Sequence, residues 1–120
     1  MAGDFKNITA VSGISGFPWS FGSPSAVTAS TNQSQGQQQL SANTWYKINT
    51  GNANDVCTMP SSPSSGDWVW VDNRGGGETL QLYPDTGDNF YGLAANASTT
   101  VADGVNLLWI YDGSEWVSRG

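Results

Sequence analysis

From residue 44 onward, apolar and polar residues alternate in short runs separated by turn residues. Thr44-Trp45-Tyr46-Lys47-Ile48-Asn49 alternates and ends at Thr50-Gly51-Asn52. Asp55 to Met59 follows, stopped by Pro60 and a Ser-Pro loop over 61–66. A period of two sends successive side chains to opposite faces, the signature of a strand. In Asp67-Trp68-Val69-Trp70-Val71-Asp72 that period puts both tryptophans on one face and both valines on the other. With both faces apolar, this strand is either central in a sandwich or turns one face toward another subunit. Thr79-Leu80-Gln81-Leu82-Tyr83 points its leucines inward, and Pro84-Asp85-Thr86-Gly87 turns the chain. Asn89 to Leu93 and Asn96 to Val101 read as further strands, the second weaker, with a turn at Ala102-Asp103-Gly104. Val105 to Tyr111 is the strongest run, and Asp112-Gly113-Ser114 makes a tight hairpin into Glu115-Trp116-Val117-Ser118. Short strands at regular spacing predict an all-β protein, an antiparallel β-sandwich or small barrel. No segment reads as a helix.

Residues 1–43 read differently. They are rich in Gly, Ser, Thr, Gln and Pro and culminate in Asn32-Gln33-Ser34-Gln35-Gly36-Gln37-Gln38-Gln39. Only Ala26 to Thr31 hints at a strand. The expected organisation is therefore an extended N-terminal arm over 1–43 and a compact β-domain over 44–120. Within the arm, Phe17-Pro18-Trp19-Ser20-Phe21 brings three large rings into a polar stretch. A linker has no use for them, so Phe17, Trp19 and Phe21 are expected to contact a partner or this domain's own core.

Composition narrows the function. Of 120 residues only 12% are charged, about half the roughly 25% of an ordinary domain. There is no histidine, which removes Ser-His-Asp and Cys-His catalysis and any zinc site that needs imidazole. Four Lys and Arg against ten Asp and Glu cannot build the basic stripe that nucleic acid demands. No apolar run approaches a membrane span, and Met1-Ala2-Gly3-Asp4-Phe5-Lys6 lacks a signal-peptide pattern. Synthesis in a cytoplasm is expected, with neither nucleic acid nor membrane as a partner. The single cysteine, Cys57, cannot form an intrachain disulfide and sits at strand spacing, where a small buried apolar residue belongs.

Carboxylates are the remaining catalytic candidates. Asp85 and Asp88 flank a turn, Asp103 and Asp112 occupy others, and Asp67 and Asp72 bracket a strand. Nothing in the spacing brings two of them into a glycosidase-like pair, and Asp85 with Asp88 does not match a calcium loop. Turn chemistry accounts for each, and neither a metal nor another cofactor is expected. The Arg74-Gly75-Gly76-Gly77 run, open to positive φ, is a weak phosphate signal with no helix after it. Among the six tryptophans, Trp68, Trp70 and Trp109 on alternating strands are expected in the core or a subunit interface. Trp116, after a hairpin turn, is expected to contact a partner. A tryptophan-rich β scaffold also suits stacking on sugars, the basis of a carbohydrate- or receptor-binding reading.

One order of features carries a resemblance. A strand ends in Thr58-Met59-Pro60, and a loop with Gly66 leads to Trp68-Val69-Trp70-Val71 and the turn Asp72-Asn73-Arg74-Gly75. Leu80-Gln81-Leu82-Tyr83 then runs into Pro84-Asp85-Thr86-Gly87-Asp88 and Phe90-Tyr91-Gly92. Val101-Ala102-Asp103-Gly104 precedes a closing hairpin from Leu107 through Asp112-Gly113-Ser114 to Trp116. In this order residues 44–118 resemble a β-module of tailed-phage virion proteins, among them head decoration (cement) proteins and tail-fibre segments. The tryptophan count and the long Ser-Pro loop depart from the usual pattern. The resemblance implies a non-enzymatic structural protein, commonly a homotrimer, whose partners are its own copies and the major capsid protein. Its place would be the outer surface of the virion capsid; the alternative is a fibre tip or small lectin.

Overall fold

The structure is a computed structural model and describes residues 22–119. Eight strands form two sheets, and no helix occurs among the described residues. The strands are β1 (Ser25–Thr28), β2 (Thr44–Asn49), β3 (Val56–Thr58) and β4 (Trp68–Asn73). The rest are β5 (Leu80–Tyr83), β6 (Thr99–Val101), β7 (Asn106–Tyr111) and β8 (Trp116–Arg119). One sheet has five strands in the order β1-β2-β4-β7-β8, and the other has three in the order β3-β5-β6.

All-β character follows from the period-two pattern, but an antiparallel arrangement does not. β1 with β2, β2 with β4, and β3 with β5 pair in parallel. The reason is the path of the chain. From β2 to β5 it alternates between the two sheets, so each strand returns beside its predecessor in the same direction. Ser25, Tyr46 and Val71 thereby stand in one row across the larger sheet. Apart from the isolated Ser30–Val56 bridge, antiparallel pairing begins only when β6 reverses along β5 and the β7–β8 hairpin closes the other edge.

The expected boundary at residue 43 falls inside the fold. β1 belongs to the larger sheet, Ala29 and Leu40 are core residues, and Ser30 and Gln39 bridge to Val56 and Thr58 of β3. The glutamine run is ordered by its own amides. Gln33 Nε2 donates to Ala53 O at 2.9 Å, Gln35 Nε2 to Pro84 O at 2.9 Å, and Gln39 Nε2 to Asp85 Oδ1 at 2.7 Å. Composition suggested an arm because polar residues carry no apolar period; here they work as hydrogen-bonding cover over the smaller sheet. Buried Thr58 shows this most directly, donating to Gln37 O at 2.8 Å and accepting from Gly36 N at 3.0 Å. Residues 1–21 of the expected arm, with Phe17, Trp19 and Phe21, lie outside the described residues.

The inner faces of the two sheets supply the core. Ile48, Val69 and Val71 meet Leu80, Leu82 and Cys57, all without exposed surface. Each such aliphatic side chain contributes about 1.5–3 kcal/mol by leaving water. Burial pushes the Cys57 thiol up to about 12, so it stays protonated and inert. Asn73, also fully buried, ties the sheets together: Nδ2 donates to Val101 O at 2.8 Å and to Glu78 O at 2.9 Å, and Oδ1 accepts from Thr50 Oγ1 at 2.7 Å. After β4 the glycine run crosses the end of β2, where Gly75 N donates to Ile48 O. A Cβ on Gly75 would lie 2.7 Å from Asn49 Cα, and one on Gly76 would strike Thr50 O. Close backbone approach, rather than positive φ, is what demands glycine at these two positions.

Candidate functional site

The outward face of the five-stranded sheet carries the strongest candidate surface. Because Val69 and Val71 point into the core, Trp68 and Trp70 point away from it. Register places Trp45 of β2 and Leu108 of β7 on either side of Trp70, and Ile110 beside Trp68. Val117 of β8 pairs with Ile110 and extends the same band. All six side chains are half-buried. Trp45 and Trp70 stack with ring centroids 5.0 Å apart and planes 23° from parallel, an offset arrangement that aromatic rings favour. The band therefore spans four strands as large apolar groups on the side of the sheet opposite the core. At its β4 end it becomes polar: Asp72 accepts from Arg74 Nε at 2.6 Å, and Asn106 Oδ1 accepts from Trp70 Nε1 at 3.3 Å.

The other tryptophans lie elsewhere. Trp109 faces inward with 6% exposure, its ring 4.7 Å from that of Phe90. Trp116 has no exposed surface, which corrects its expected role as a partner contact. The hairpin sets the first residue of β8 opposite Tyr111, whose ring centroid lies 5.2 Å away. Backbone bonds from Trp116 N to Asn89 O and from Tyr91 N to Trp116 O then close the loop after β5 over it. Position after a turn suggested a surface residue; the β5–β6 loop packing back onto the hairpin makes it a core one.

The carboxylates serve turns and local pairs. Asp112 Oδ1 accepts from Ser114 N and Glu115 N, which holds its carboxyl below the usual range. Asp67 Oδ2 accepts from Ser64 N, and buried Asp55 accepts from Asn52 N. Asp88 is the exception, raised by burial and then by Asp85 nearby. Among the described residues no three acidic or cysteine side chains gather to hold a metal ion. A shallow hollow of about 350 Å³ lies beside β1, lined by Ala26, Thr28, Lys47 and Asn49 with Gly75 at one side. Lys47 is its one charged group.

No family model matches the chain, and no curated protein matches it.

Four members of the apolar band, Trp45, Leu108, Ile110 and Val117, were not singled out by sequence, although for β7 the signal was present. Val105 to Tyr111 is apolar at odd and even positions alike, the same two-faced pattern that marked Trp68 to Val71. Tyr91, 70% exposed, and Leu93, 41% exposed, were hidden by the expectation of a strand over 89–93. That segment is a loop held to the fold by a single bridge at Phe90.

Proposed function

We propose that this is a non-enzymatic virion structural protein, a capsid decoration protein that binds the outside of the major capsid shell as a homotrimer and stabilises it. The apolar band on the outward sheet face carries the reading. A sheet with one face on the core ordinarily turns a polar face to water. Here the central strands put tryptophan and aliphatic side chains on both faces, a pattern suited to burial against further copies of the chain. The low charge agrees, since charged residues are depleted in the centres of interfaces. Clamping neighbouring capsomers requires contact area and no chemistry, and the carboxylates engaged in turns fit that role.

The test joins mass to binding. Sedimentation equilibrium is expected to give three chains per particle, and the protein is expected to bind shells assembled without it. A monomer that also fails to bind such shells would sink the proposal. A second reading, a carbohydrate- or receptor-binding module, draws on the stacked Trp45–Trp70 pair. It predicts saturable quenching of tryptophan fluorescence by oligosaccharides, and a flat titration across a broad glycan panel counts against it.

A further inference from the structure

The loop between β5 and β6 presents a second apolar surface, at the β8 hairpin rather than on the sheet. Residues 91–96 are exposed throughout, and no charged residue occurs from Asn89 to Ala102. Runs of exposed apolar residues are avoided in folded domains unless they have a use. Tyr91-Gly92-Leu93-Ala94-Ala95 is such a run.

The tip is also fixed in shape. Phe90, 1% exposed, anchors it in the core. Tyr91 N donates to Trp116 O at 2.8 Å and Leu93 N to Phe90 O at 2.9 Å. Asn89 Nδ2 cinches the base, donating to Phe90 O at 3.1 Å and to Glu115 Oε1 at 3.0 Å. Farther along, Ala97 N donates to Ala94 O at 3.1 Å and Asn96 N to Asp88 O at 2.9 Å. A loop ordered this way meets its entropy cost on folding, leaving little to lose on binding.

Charge selects the occupant. Asp85 and Asp88 lie in the same loop, and Asp112 and Glu115 lie in the hairpin beneath it. The described cations sit elsewhere: Lys47 on β2, Arg74 beyond β4, and Arg119 three residues along β8 from Trp116. A second copy would bring the same acidic surround against this one, and like charges facing each other are disfavoured. A sugar site needs polar groups converging in a concavity. Here residues 91–96 are exposed throughout, and the Asn89 amide is already engaged within the loop.

We propose that Tyr91-Gly92-Leu93 is a preformed anchor that docks into an apolar, basic-rimmed pocket on a partner protein. On the reading above, on which this inference rests, that partner is the shell protein. Tyrosine at the centre of a contact is the kind of residue on which binding energy concentrates.

The experiment measures binding to shells assembled without this protein, by cosedimentation at low and high salt. The doubly substituted Tyr91→Ala, Leu93→Ser protein is expected to bind roughly 30-fold or more weakly, with an unchanged melting temperature because both side chains are exposed. Tyr91→Phe and Val105→Ser, the latter at an exposed apolar site outside the tip, are expected to bind as the unsubstituted protein does. Salt is expected to weaken binding by screening the acidic surround. Unchanged binding by the double variant overturns the anchor and leaves the assembly reading standing. Failure of the unsubstituted protein to bind shells overturns both. Saturable oligosaccharide binding that Tyr91→Ala abolishes assigns the tip to a sugar and also overturns the proposal.

Discussion

Asn73 has no exposed surface, yet both ends of its amide have partners in other segments. Asn73→Ala strands the Thr50 hydroxyl and two backbone carbonyls in the interior. Since each buried polar group left unsatisfied costs about 1–3 kcal/mol, the substitution is expected to destabilise the protein by about 3 kcal/mol or more, read as a shift in the urea midpoint at unchanged slope. Asp88 has the opposite character. Burial and Asp85 raise its pKa above the ordinary 3.8, so the folded state favours its protonated form. That contribution to stability is complete below pH 3.8 and is lost as pH rises through the folded value. At pH 7 ionised Asp88 is a net cost. Asp88→Asn is expected to raise the melting temperature slightly at pH 7, with the gain vanishing at low pH, where the carboxyl is protonated in both states. Sequence could place Asp88 in a turn, because turn residues announce themselves locally. It could not give Asn73 its role, because two of its side-chain partners, Thr50 and Val101, come from segments that only the folded topology brings together.

Among the elements, strands with a clean period of two were legible: β2, β5 and β7 fall within the runs read from residues 44, 79 and 105, and β4 runs one residue past the run read from 67. Two segments were not. Residues 89–93 read as a strand, but they pair with β8 only through the single bridge from Phe90 to Trp116, so they remain a loop. Residues 25–40 lack a period because their contribution is made through amides and backbone rather than apolar faces. Removing residues 1–43 therefore deletes β1, the buried Ala29 and Leu40, and the cover over β3. The remaining 44–120 chain is expected to lose cooperative thermal unfolding, seen as a broad transition in far-ultraviolet circular dichroism. A sharp transition near that of the whole chain would restore the boundary at 43.

For the whole molecule, sequence gave a sound account of composition and class but not of chain path. Hydrophobic alternation says that a strand has an inside and an outside; it is silent on whether its neighbour runs with or against it. The parallel winding emerges only from the order in which the sheets receive the chain. The outward apolar band was partly legible, through Trp68 and Trp70, and completed only when register brought Trp45, Leu108, Ile110 and Val117 beside them. If the band joins subunits, Leu108→Lys is expected to convert trimers to monomers, seen by sedimentation, while the β-sheet circular dichroism persists. A lysine there can extend into solvent in a monomer but must lose its hydration in an interface. The lone thiol offers a different benefit. With Cys57 enclosed and protonated at working pH, the native chain is expected to be nearly silent toward maleimides. A Tyr91→Cys variant would then carry one reactive handle on an otherwise blank background, so a fluorophore or spin label could report on the tip without first removing a native cysteine.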